Sequence, residues 1–151
     1  MQRQLSVRDF TSGPPVTITP KARLVDAALL MRRMSVRHLL VVEGGRLVGL
    51  LTDRDLQRCA PSRLIPITED AYNDLFANTT VDRVMVREPQ TIPATATLLE
   101  AITTMQQAQI GCLPVMEGEK VLGIVTRWDL IEALRRILVE EAEGETKPSK
   151  R

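Results

Sequence analysis

Gly49-Leu50-Leu51-Thr52-Asp53-Arg54-Asp55-Leu56 and Gly123-Ile124-Val125-Thr126-Arg127-Trp128-Asp129-Leu130 are one phrase written twice, 74 positions apart. Each reads as an apolar strand-sized run that ends on a hydroxyl residue and turns into a helix whose third position is an aspartate. Internal self-similarity comes before any local reading, because it sets the unit from which the fold is built. Working outward at the same shift and without a gap, Pro15 falls on Pro89, Thr17 on Thr91, Ile18 on Ile92, Leu24 on Leu98, Ala27 on Ala101 and Met31 on Met105. Leu39, Val41, Glu43 and Gly44 fall on Leu113, Val115, Glu117 and Gly118. Upstream, Val7 meets Val81, and Ser6 meets Thr80 as a candidate helix N-cap.

Period and punctuation give the elements of one copy. Leu24, Ala27, Ala28, Met31 and Met34 recur at helical spacing, as do Leu98, Ala101, Ile102, Met105 and Ala108, which predicts an amphipathic helix in each copy. A short strand precedes it, Val16 to Thr19 or Gln90 to Pro93. Two apolar runs follow, Leu39 to Val42 and Leu47 to Leu51. Glu43-Gly44-Gly45-Arg46 joins them as a hairpin turn, with Glu117-Gly118-Glu119-Lys120 in the same role in the second copy. A second helix starts at Thr52 or Thr126. The order is β-α-β-β-α behind a short leading helix, so the fold class is α/β (α+β).

One such unit leaves an apolar sheet face that its helices cannot cover. The two copies are therefore expected to pack sheet to sheet about a pseudo-two-fold axis and to leave two related clefts. The boundaries are residues 6–60 for the first repeat, 61–79 for a helical insert, 80–134 for the second repeat, and 135–151 for a helix end and disordered tail. In the insert, Thr68-Glu69-Asp70 marks a helix start and Tyr72 and Phe76 share a face. The tail after Glu140, with Glu143-Gly144-Glu145 and Lys147-Pro148-Ser149-Lys150, reads as frayed and disordered.

Composition narrows the function classes. Twenty basic residues stand against 19 acidic ones, so no excess of charge favours nucleic acid. Aromatic residues are 3 % of the chain and offer few platforms for stacked bases. No apolar run is long enough for a signal-peptide core or a membrane span, which predicts a soluble, cytoplasmic protein. Cys59 and Cys112 lack CxxC spacing and there is one histidine, which speaks against a disulfide framework or a zinc site. Catalysis would need a nucleophile with its base, a metal cluster or an acid–base pair, and none can be assembled here, so the chain reads as a non-enzyme. Gly44, Gly45 and Gly49 lack both the Walker lysine and a Gly-x-Gly-x-x-Gly run, and read as hairpin chemistry rather than a phosphate loop. The methionines Met31, Met34 and Met105 read as core.

Two roles are open to the Thr-x-x-Asp pairs. Thr52 with Asp55, and Thr126 with Asp129, have capping-box spacing and would stabilise a helix start with or without a ligand. The same aspartates could accept two hydrogen bonds from a ribose diol beside a helix start that favours anions. The Pro-x-Thr-Ile opening, the Leu-x-x-Ala helix, the His38-Leu39-Leu40-Val41-Val42 and Cys112-Leu113-Pro114-Val115 strands and the twofold Gly-x-x-Thr-x-x-Asp together resemble the CBS-domain family. The likeness covers nearly the whole chain outside the insert and tail. Within the family it is most similar to stand-alone CBS-pair proteins of the acetoin-utilisation type.

The resemblance implies a tandem pair, or Bateman module, that dimerises into a disc and binds AMP, ADP, ATP or S-adenosylmethionine in its clefts. It also implies a regulated partner protein that receives the signal. One cleft would draw Thr11, Val16 and Arg37 together with Ile124, Thr126 and Asp129. The other would draw Met85, Gln90 and Gly111 together with Leu50, Thr52 and Asp55, with backbone groups at Val16 and Gln90 facing the adenine. AMP-kinase gamma subunits carry a phosphate-touching His-Arg pair where this chain has Arg37-His38 in reverse order. The second copy offers Gly111-Cys112 there, so the two clefts are not equivalent. A satisfied interior place for His38 and a solvated one for Arg37 stand beside those ligand roles. A ligand-free interaction scaffold is the alternative function. A divalent-metal regulator is a third reading, which no acidic cluster recommends.

Overall fold

The computed structural model describes residues 5–11, 13–59 and 67–145. The chain forms two compact units, one of Pro14–Gln90 with Gly118–Val121, the other of the residues up to Gly13 with Thr91–Glu117 and the chain from Leu122 on. Both are mixed α+β.

The first-repeat unit contains β1 (Thr17–Ile18), α1 (Leu24–Met34), β2 (His38–Glu43), β3 (Arg46–Thr52), α2 (Asp53–Arg58), α3 (Glu69–Asn78) and β4 (Val86–Arg87). Its sheet runs β1-β2-β3-β4. β1 pairs parallel to β2 with Thr17 opposite Leu40, and β2 pairs antiparallel to β3 with Leu40 opposite Leu50. The β2–β3 hairpin turns through Gly44 and Gly45, both at positive φ, as a two-residue turn matched to strand twist requires. β3 pairs with β4 at Gly49, where an added Cβ would come within 2.3 Å of the Met85 sulfur. The Met85 side chain thus packs directly over the glycine, and the Val86 carbonyl lies 3.1 Å from the same Cβ position. Leu24, Ala27 and Met31 of α1 meet Leu39, Val41 and Leu51 of the sheet in one buried cluster that also takes Leu56, Val81 and Met85.

The insert helix is α3, capped as its sequence predicts: Thr68 Oγ1 accepts the Ala71 N–H at 3.2 Å. Tyr72 and Phe76 lie 5.7 Å apart, and Phe76 packs against the buried cluster. Residues 60–66 of the insert and residues 146–151 of the tail lie outside the described residues.

The second-repeat unit contains β5 (Ile92–Pro93), α4 (Leu98–Ala108), β6 (Cys112–Glu117), most of β7 (Lys120–Thr126) and α5 (Arg127–Glu145), with sheet order β5-β6-β7. Its core joins Ile92, Ala101, Met105, Leu113, Val115 and Val125. The two copies share backbone detail where their residues differ. α1 and α4 both end on a left-handed residue, Ser35 at φ 53° and Gln109 at φ 54°, and the next N–H returns to Met31 or Met105 at 3.0 Å.

Three details depart from the sequence reading. The short turns in front of each repeat dock on the other repeat. Val7, in the turn Val7–Phe10, donates its N–H to the Ala96 carbonyl at 2.8 Å and is buried in the second-repeat core. Val81, in the turn Val81–Arg83, donates to the Ala22 carbonyl at 2.8 Å and is buried in the first-repeat core. The compact units thus cut across the 6–60 and 80–134 ranges, because equivalence in sequence register does not say which sheet a segment covers. Secondly, α5 continues through Glu143-Gly144-Glu145, where a frayed tail was expected; Gly144 is exposed and costs the helix only its propensity. Thirdly, Met31 and Met105 are core residues but Met34, the last residue of α1, is 49 % exposed, and Ile102 and Ala108 of α4 are exposed too.

Candidate functional site

The site builds up from the two strand-to-helix junctions. β3 delivers Thr52 in extended conformation at the head of α2, where its Oγ1 accepts the Asp55 N–H at 3.2 Å. Asp55 Oδ2 in return accepts the Thr52 N–H at 2.8 Å and the Thr52 hydroxyl at 2.9 Å. At the head of α5, Asp129 Oδ2 accepts the Thr126 N–H at 2.7 Å and the Thr126 hydroxyl at 3.0 Å. The capping box is complete at Thr52, and at both junctions one aspartate oxygen is taken up by the threonine N–H and hydroxyl. The Asp55 side chain is 12 % exposed, and its other oxygen lies 3.9 Å from the Arg58 guanidinium. A ribose diol meeting this junction would have to share the carboxylate with the cap.

The remaining residues singled out from sequence distribute by unit. With Thr52 and Asp55, the first-repeat unit holds Val16, Arg37, His38, Leu50, Met85 and Gln90. Leu50 and Met85 are buried, Arg37 and Gln90 are exposed, and Val16 and His38 are intermediate. The Val16 carbonyl accepts the Leu40 N–H at 3.0 Å, so it serves strand pairing. The second-repeat unit holds Thr11, Gly111, Ile124, Thr126 and Asp129. Thr11 Oγ1 donates to the Val7 carbonyl at 2.8 Å, which ties the leading turn together.

One residue escaped the sequence reading. At each junction the first helical N–H binds the carbonyl of the residue just ahead of the middle strand: Asp53 to Arg37 at 2.9 Å, and Arg127 to Gly111 at 3.0 Å. The first repeat thus places an arginine on the strand side and an acid on the helix side. The second places a glycine on the strand side and an arginine on the helix side. A Cβ on Gly111 would stand 2.5 Å from Arg127 Nη2 and 2.6 Å from Nε, so the guanidinium lies in the space that any side chain at 111 would take. The signal lies in two position pairs 74 apart, Arg37 with Gly111 and Asp53 with Arg127.

The second-repeat unit also carries an apolar groove of about 650 Å³ between α4 and α5, lined by Leu5, Leu99, Ile102, Leu130, Ile131 and Leu134 among others. Trp128 is 72 % exposed. Among the described residues no cluster of three or more His, Cys, Asp or Glu side chains could hold a metal, and no helix is long and apolar enough to cross a membrane.

Comparison with known proteins bears on family and fold. The CBS domain family matches twice, over residues 7–61 and 81–136. The CBS domain-containing protein YhcV of Bacillus subtilis is 33 % identical over 127 residues, 83 % of this chain and 82 % of that protein. Among solved structures, an AcuB-type acetoin utilization protein of Vibrio cholerae superposes with TM-score 0.74 at 27 % identity, covering 97 % of this chain and 100 % of that one. The CBS domain pair of protein MJ0100, solved with 5-methylthioadenosine and S-adenosyl-L-methionine, superposes with TM-score 0.71 at 23 % identity, covering 88 % and 98 %. CBSX2, solved with AMP, gives 0.71 at 24 %, also covering 88 % and 98 %. With two complete family matches over its two repeats, the chain belongs to the CBS-domain proteins as a tandem CBS pair.

Proposed function

We propose that this CBS pair is a non-catalytic regulatory module that binds an adenosine-containing ligand and relays its presence to a partner protein. AMP, ADP, ATP and S-adenosylmethionine are the candidates. The observation that carries the reading is the duplicated junction. Twice, a part-buried carboxylate is held against a helix start by a threonine, with an arginine at or beside the strand that feeds it. That arrangement supplies acceptors for a ribose diol and a cation for an anionic tail. The complexes of the MJ0100 pair and of CBSX2 support the ligand class. In this reading Thr52, Asp55, Thr126 and Asp129, with Thr11, Val16, Arg37, His38, Leu50, Met85, Gln90, Gly111 and Ile124, face ligand.

Titration calorimetry with AMP, ADP, ATP, NAD and S-adenosylmethionine tests this. Asp55→Asn and Asp129→Asn keep an oxygen for the cap while removing the charge. Saturable binding of one ligand class is expected, weakened roughly tenfold in the variant whose carboxylate meets the ribose. No saturable heat from any of the five at millimolar concentration would sink the proposal.

A ligand-free interaction scaffold is the second reading, favoured by the apolar side chains left exposed on α5: Trp128, Ile131, Leu134 and Leu138. The two readings share one consequence. Such a stripe asks for cover, and a homodimer formed through α5 supplies it. We place the protein in the cytoplasm, in keeping with the free thiols of Cys59 and Cys112.

A further inference from the structure

We infer that Arg127 is the phosphate-recognition residue of the second repeat, doing from the first turn of α5 what Arg37 is placed to do from the strand side in the first repeat. The inference rests on the adenosine-ligand reading and adds to it which end of the ligand the second repeat discriminates.

Three observations carry it. First, the guanidinium is placed by the fold: it lies against Gly111, in the volume a side chain there would need, while the Arg127 N–H is tied to the Gly111 carbonyl at 3.0 Å. A guanidinium resting on a glycine backbone has already given up part of its rotamer freedom, so less is lost when it binds. Secondly, among the described residues no carboxylate lies within ion-pairing distance of it. By contrast Arg135 and Arg136, two turns further along α5, are both bonded to Glu132. Thirdly, Arg127 borders a recess of about 400 Å³ whose other polar walls are Gln106 and Gln109, with Met105 and Ile110 as apolar neighbours. Two amides and one planar cation provide donors for phosphate oxygens without an acid to repel them.

The substitution pattern explains why the cation moved. An arginine at 111, matching Arg37, would compete with Arg127 for the same space. Glycine at 111 and arginine at 127 keep a guanidinium beside the junction, whereas Arg37 with Asp53 does so from the other side.

The test compares ADP with adenosine and S-adenosylmethionine, measured by calorimetry on the full chain. Arg127→Gln is expected to weaken ADP roughly tenfold while leaving adenosine within about twofold. S-adenosylmethionine, whose carboxylate carries its own ammonium beside it, is expected to change less than ADP. Gly111→Ala provides an independent variant, because its methyl displaces a flexible side-chain end rather than backbone; it too should weaken ADP and spare adenosine. Equal losses for ADP and adenosine, no loss for ADP, or a loss confined to S-adenosylmethionine would each overturn the assignment. If wild-type protein binds no adenosine compound, the parent proposal fails first. If it binds them with the same ADP-to-adenosine ratio in wild type and variant, only the role of Arg127 fails.

Discussion

The two repeats have kept the same backbone and changed what surrounds it. In the first, α2 has six residues, and α3 lies by α1 with Phe76 reaching the core. In the second, the matching helix α5 runs for 19 residues, and the α4–α5 groove lies open with Leu99 and Ile102 on its rim. Left-handed caps at Ser35 and Gln109 show that cap geometry tolerates a change of residue, while the threonine–aspartate junctions keep both residues and their bonds. Surface cover does not follow from the repeat at all. One duplicated framework therefore presents two chemically different faces.

The most damaging way to break this comparison is through the exchanged turns. Val7 and Val81 are each fully buried, in the core of the repeat they do not precede. Val7→Asp should cost about 3 to 5 kcal/mol, from lost burial plus a carboxylate without a partner. Hydrogen exchange should show protection falling in 92–115 and holding in 17–52. Val81→Asp should show the reverse. Loss confined to the neighbouring repeat in the chain would mean that the turns pack in sequence order.

These turns also mark how far the sequence could be read. A gap-free register reveals equivalence, and periodicity finds the faces of α1 and α4, because local chemistry dictates both. The hairpin at Gly44-Gly45, the α3 cap at Thr68 and the capping boxes were legible for the same reason. Which sheet Val7 covers is a tertiary choice that an equal pair of valines cannot encode. The charged, glycine-containing stretch after Glu140 reads as frayed tail, yet an exposed glycine costs a helix only its propensity and α5 runs through it. Arg127 was hidden because its significance depends on the empty Cβ position of Gly111, across a strand-to-helix turn.

A smaller perturbation sharpens the difference between the faces. Ile131 and Leu134 are each 54 % exposed on α5, and Leu29 on α1 is 60 % exposed. Exposure alone would rank the three alike, but Ile131 and Leu134 line the apolar groove between α4 and α5. If that face holds a second copy, Ile131→Asp should shift light scattering from dimer to monomer, since burying an unpaired carboxylate costs several kcal/mol. Leu29→Asp should leave the mass unchanged. A wild-type monomer at high concentration, or equal effects from both substitutions, would remove the dimer from this face.

The mildest test asks whether helix length alters the worth of the same cap. Thr52→Ala removes the Oγ1 that accepts the Asp55 N–H at the head of six-residue α2, and Thr126→Ala removes the hydroxyl that donates to Asp129 at the head of 19-residue α5. A lost threonine cap costs about 1 kcal/mol. A helix of six residues has few hydrogen bonds over which to spread its nucleation cost, so its amides should exchange sooner. Exchange of the α2 amides should therefore accelerate roughly fivefold in Thr52→Ala. In Thr126→Ala the change should stay within the first turn of α5, leaving the amides beyond Leu130 at their wild-type rates. Fraying that spreads along the whole of α5 would show that the long helix depends on its junction as much as the short one, and that the added turns contribute surface without holding themselves in place.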